Sequence, residues 1–100
     1  MEPAMHHTKH AVVRRAQRNL TEQDIEFVFE YGRFIRCAGA LHVFLCRRDI
    51  PSEKELYQRY ARLEGTTLVV NDTGRVPVLI TTYRNRRAYK GIRSKAKYRR

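Results

Sequence analysis

Apolar residues fall at helical spacing in three stretches of the chain and at strand spacing in four. The first helical stretch, residues 8–18, carries Val12, Val13 and Ala16 on one stripe, enough to dock against a sheet though not to stand alone. Asn19 and Leu20 break it. Thr21 then offers an N-cap, with Asp24 three residues on as in a capping box. A second helix is expected over residues 22–31, with Ile25, Val28 and Phe29 buried and Glu22, Glu26 and Glu30 stacked on the opposite edge. Gly32 reads as a left-handed residue that ends it. Pro51 and Ser52 announce a third helix, Ser52 with Glu55 repeats the capping-box spacing, and Leu56, Tyr60 and Leu63 share a face until Gly65.

Between and after the helices lie the strand-like runs, residues 33–38, 40–47, 66–70 and 76–83. The run around Leu41 to Cys46 is apolar on both faces and belongs at the centre of a sheet. Asn71-Asp72-Thr73-Gly74 signals a turn with the glycine at positive φ, and Pro77 places the following strand's beginning at an edge or a strand start. The order ααββαββ predicts an α+β domain with helices packed on one face of a small four-stranded antiparallel sheet. A hairpin turning at Gly39-Ala40 would set Cys37 opposite His42 and Cys46 opposite Arg33, which keeps the two cysteines too far apart for a disulfide.

Charge changes this picture at one end. The last seventeen residues, from Arg84, hold nine of the twenty-one Lys and Arg and no Asp or Glu, while the rest balances twelve bases against ten acids. The chain thus divides into a nearly neutral domain, residues 8–84, and a basic C-terminal tail, residues 85–100, expected to be partly disordered apart from a short helix over 85–92. Polyanions suit such a tail, because each neutralised phosphate releases condensed counterions. No apolar run approaches the ~20 residues needed to cross a bilayer, so no membrane partner is expected. With no apolar leader in the first nine residues and only two cysteines, the expected location is cytoplasmic, beside nucleoid or ribosome.

His6, His7 and His10 lack further ligands nearby, so they read as a ragged, solvated start and neither a metal nor another cofactor is expected. On a helix, however, His10 neighbours Arg14. An imidazole that moves a proton beside a guanidinium that holds developing phosphorane charge suits phosphodiester chemistry. Alternation along the last strand puts Thr82 and Arg84 on one face and Thr81 and Tyr83 on the other, a set able to grip phosphate or a base. Arg47 and Arg48 follow the central strand and offer further phosphate contacts. In the tail, Tyr89 and Tyr98 are interleaved with the bases, as single-strand binders interleave stacking rings and charge. Arg86, Arg87, Tyr89, Lys90, Arg93, Lys95 and Lys97 are its candidate nucleic-acid contacts. Cys37 and His42 read as a small apolar thiol beside a half-buried imidazole rather than a catalytic dyad.

The stretch Lys9-His10-Ala11-Val12-Val13-Arg14-Arg15-Ala16-Gln17-Arg18, followed by Leu20-Thr21-Glu22-Gln23-Asp24-Ile25-Glu26, and the ending from Leu68 to Gly74 and from Leu79 to Asn85 resemble a bacterial domain-of-unknown-function family. That family is grouped with the barnase, colicin-nuclease and RelE-like ribonucleases. The resemblance implies a metal-independent, toxin-like endoribonuclease in which a 2′-hydroxyl attacks the adjacent phosphate. It implies His10 as general acid or base, Arg14 and Arg84 as phosphorane stabilisers, and Tyr83 as a positioning hydroxyl. The alternatives are a non-catalytic RNA- or ribosome-binding protein, or a toxin-like interaction module with an acidic, antitoxin-like partner protein. The helix over residues 48–64 departs from the family's expected shorter connection.

Overall fold

The computed structural model describes residues 5–84, so the expected helix at 85–92 and the character of the tail lie outside the described residues. In chain order the elements are β1 (His6–His7), α1 (Lys9–Gln17), α2 (Glu22–Tyr31), β2 (Arg33–Cys37), β3 (Ala40–Phe44), α3 (Lys54–Tyr60), β4 (Thr66–Asn71) and β5 (Val78–Arg84), with 3-10 turns at Arg47–Asp49 and Ala61–Leu63. The α+β class is as expected, but the sheet has five strands in the order β1-β5-β4-β3-β2, and β1 runs parallel to β5. It is therefore mixed, not four-stranded and antiparallel. The added strand is two residues long and carries no periodicity to read. It exists because the His6 N–H donates to the Pro77 carbonyl (2.9 Å) and the Thr8 N–H to that of Leu79 (3.1 Å), with Met5 buried beside it. The histidine-rich start is thus a sheet edge, not a ragged end.

One core joins the helices to the sheet. Leu41 and Val43 of β3, Leu68 and Val70 of β4, and Leu79 of β5 pair across the strands and meet Ala11, Ile25, Val28 and Tyr60. The second helix spans the expected residues, and both halves of its Thr21–Asp24 capping box form. Phe27 is also buried, stacked on Tyr60 at 3.8 Å between ring centroids. Helix α1 is rotated from expectation: Ala11 is fully buried, whereas Val12 and Val13 are 41% and 54% exposed. Thr8 fixes this phase by capping the helix at the Ala11 N–H while its backbone and hydroxyl bond to Leu79 and Ile80. The small side chain of Ala11 then lets the helix lie against β5.

Asn19 ends α1 with φ of 56°, and the Leu20 N–H reaches back to the Arg15 carbonyl at 2.8 Å. This is a Schellman closure with asparagine in the left-handed position. Helix α3 has Glu53 as its N-cap with no side-chain cap bond, so the expected Ser52–Glu55 box does not form. Gly74 is not among the positive-φ residues; Asn71 shapes that loop instead, its side-chain oxygen accepting from the Thr73 N–H and hydroxyl.

The first hairpin turns at Ala38-Gly39, where φ is 56° and 78°. The pairs are Cys37–Ala40, Ile35–His42 and Arg33–Phe44, two residues from the expected register. A two-residue turn with both central residues at positive φ matches the twist of the flanking strands, and that match sets the register. Neither cysteine is in a disulfide, and Cys37 is not opposite His42. A left-handed alanine is strained by roughly 1 kcal/mol, and asparagine tolerates that conformation better. Ala38→Asn should therefore raise the unfolding free energy by about 1 kcal/mol. A urea midpoint equal to or below that of the parent would contradict this account of the turn.

Candidate nucleic-acid interface

Arg84 closes β5 opposite Thr66, the first residue of β4. The far end of α1 arrives at the same place, and with the turn before β4 it encloses a cavity of about 390 Å³. Three guanidinium-bearing residues line it: Arg18, Arg62 and Arg84. Their side chains are fixed to different degrees. The Arg62 guanidinium donates to the Asp24 carboxylate at 2.8 Å, and Asp24, only 3% exposed, also accepts from the Thr21 N–H. The Arg84 Nε donates to the Glu64 carbonyl at 3.1 Å. Arg18 is exposed and its side chain has no partner among the described residues. An anion entering the cavity would meet one anchored guanidinium, one tethered and one uncommitted.

The four residues expected to act together do not converge here. Thr8 pins the start of α1 at Leu79 and Ile80, whereas Gln17 at the other end lines the cavity. Seven residues of helix separate His10 from Gln17, roughly 10 Å along the axis. His10 and Arg14 are both exposed, and neither lines the cavity. Tyr83 borders it, yet its ring belongs to a second apolar cluster with Cys37, Phe44, Ile35 and Cys46 on the opposite sheet face. Burial there pushes the phenol pKa up, while the Thr67 hydroxyl works against the rise. Such a phenol is less ready to give up its proton. The expected alternation along β5 therefore holds, and it sends Tyr83 and Arg84 apart. Thr82 is 1% exposed and its hydroxyl donates to the Thr67 carbonyl at 3.0 Å, so it offers no surface to a nucleic acid.

Arg47 and Arg48 are exposed, on the 3-10 turn that follows β3. The tail's candidate contacts, Arg86, Arg87, Tyr89, Lys90, Arg93, Lys95 and Lys97, lie outside the described residues. Among the described residues no three of His, Cys, Asp or Glu come together as metal ligands. No helix among them is long and apolar enough to cross a membrane. Arg18 and Arg62 escaped the sequence reading because one is the residue capping a helix and the other lies in a short turn; only the fold puts them beside Arg84. His7, expected to be part of a solvated start, is instead half-buried. Its pKa is lowered, first by burial and then by the Arg15 guanidinium, and its Nδ1 finds no hydrogen-bond partner among the described residues.

Comparison with known proteins returns no family model, no curated protein and no solved structure that matches the chain. The likeness to ribonucleases accordingly rests on the two sequence motifs alone.

Proposed function

We propose that the chain is a non-catalytic RNA-binding domain whose Arg18–Arg62–Arg84 cleft holds a backbone phosphate. One observation carries this reading: three arginines line one cavity at the residue where the acid-free basic run begins. A strand seated in the cleft is thereby handed to a segment suited to sequence-independent attraction. RNA rather than another polyanion is favoured by the ribonuclease-like motifs. Cleavage loses ground because the only histidine offered as its acid or base stands away from the cleft, and Tyr83 faces elsewhere.

Fluorescence anisotropy with a labelled single-stranded RNA tests the binding. Arg18→Ala and Arg84→Ala should each weaken affinity several-fold and flatten the log–log salt dependence by about 0.7, the share of one phosphate contact. Unaltered affinity and slope in both variants would overturn the cleft. The same RNA should be recovered intact after prolonged incubation with the protein. Fragments that vanish with His10→Ala would restore the metal-independent endoribonuclease instead.

A further inference from the structure

The sheet end that carries the cleft continues past it. Tyr83 of β5 pairs with Thr67 of β4, Thr67 with Phe44 of β3, and Phe44 with Arg33 of β2; Arg84 lies one residue beyond this row, opposite Thr66. One row thus runs across four neighbouring strands, and three strand spacings make it about 14 Å wide. At its other end the chain leaves β3 and enters the 3-10 turn, where Arg33, Cys46, Arg47 and Arg48 line a broad hollow of about 520 Å³. The Arg47 Nε donates to the Tyr57 hydroxyl at 3.1 Å, which holds the guanidinium in place. Its remaining N–H groups and the Arg48 guanidinium donate no hydrogen bond to any of the described residues.

The acids nearby do not cancel this charge evenly. Asp49 is engaged by the Arg33 Nε at 2.9 Å and 3.2 Å and by the Cys46 N–H at 3.3 Å. Glu64 lies between the two hollows: its carbonyl holds Arg84 and its carboxylate bears on Arg47. The rim therefore alternates positive, negative and positive. Phosphates of one strand would be held at the two ends and repelled from the middle.

We propose that Arg47 and Arg48 form a second phosphate subsite, and that single-stranded RNA crosses the sheet end from the cleft to this hollow. The inference rests on the cleft reading above and extends it to the length of the ligand. At about 3.4 Å per stacked nucleotide, 14 Å corresponds to roughly four nucleotides. A dinucleotide fills the cleft alone; a longer strand engages both sites.

The test compares labelled oligouridylates of two and eight nucleotides by anisotropy across a salt series, using the full chain. Arg47→Ala with Arg48→Ala should weaken the octamer about tenfold and flatten its salt slope by about 1.4, leaving the dinucleotide unchanged. Arg18→Ala with Arg84→Ala should weaken both. Arg47→Lys with Arg48→Lys, which preserves the charge, should keep the octamer slope and guards against misfolding of the alanine pair. Glu64→Gln should tighten the octamer more than the dinucleotide. An octamer indifferent to the Arg47 and Arg48 changes, while the cleft pair still weakens it, overturns the second subsite and spares the cleft. Equal losses at both lengths would show a diffuse field and overturn it as well. Indifference of both ligands to the cleft pair would overturn the cleft reading itself.

Discussion

Gly32→Ala is expected to lower the unfolding free energy by about 3 kcal/mol, the upper part of the range for forcing an atom into a filled core. The backbone there is extended, with φ of −73° and ψ of 169°, so the glycine is not needed for a left-handed turn. It is needed for room. A Cβ would stand 2.5 Å from the Val28 carbonyl oxygen, 2.7 Å from Val43 Cγ1 and 3.1 Å from the Phe44 carbonyl oxygen. Two of these are backbone atoms, held by the last turn of α2 and by β3, which lies second from the sheet edge rather than at its centre as expected, so neither can swing aside. The Gly32 N–H also donates to Val28 at 2.7 Å, which fixes the approach. A loss of that size in so small a domain lowers Tm by roughly 12–24 °C. Gly74→Ala is the control: nothing lies within 4 Å of its added Cβ, and stability should hold within about 0.5 kcal/mol. Near-parental melting of the Gly32 variant would refute the close approach.

Asp24→Ala should cost about 2 kcal/mol at neutral pH. The carboxylate caps α2 through the Thr21 N–H at 3.0 Å and pairs with Arg62 at 2.8 Å. The cap is worth about 1 kcal/mol and the bond to a half-exposed guanidinium about another. Burial by itself would raise the Asp24 pKa, but the Thr21 N–H and the Arg62 guanidinium outweigh it and hold the carboxyl below its ordinary value. The sign of the pH effect follows. A depressed folded-state pKa adds stability above the ordinary carboxylate range, and that stability disappears as pH falls through the lower folded value. The gap in urea midpoint between parent and variant should accordingly be wide at pH 7 and narrow below about pH 4. A gap that stays constant with pH would mean that the ionised form is not what stabilises the fold.

Much of this architecture is legible in the linear chain, for identifiable reasons. Thr21 and Asp24 mark the start of α2 because both halves of the capping box are local chemistry. Strand alternation likewise separates Tyr83 from Arg84 in the linear sequence. Other features depend on contacts that spacing does not encode. The phase of α1 is set by Thr8 reaching a strand seventy-two residues away, so the helix buries Ala11 and leaves Val12 and Val13 in solvent. The hairpin register turns on whether Ala38 accepts a left-handed conformation. Two residues of β1 hold no pattern at all. As for the cleft, Arg84 was readable as the start of the basic run, whereas Arg18 and Arg62 become its partners only when α1 and the turn before β4 converge.

The parallel pairing of His6–His7 with β5 ties the first-made segment of the fold to the last-made one. During synthesis α1 has no strand to dock on until β5 exists, and closing a loop of that length must precede the contacts that reward it. Docking of β1 and α1 is consequently a late step. A proteolytic nick in the middle would put β1 and α1 on one fragment and the strand they dock against on the other.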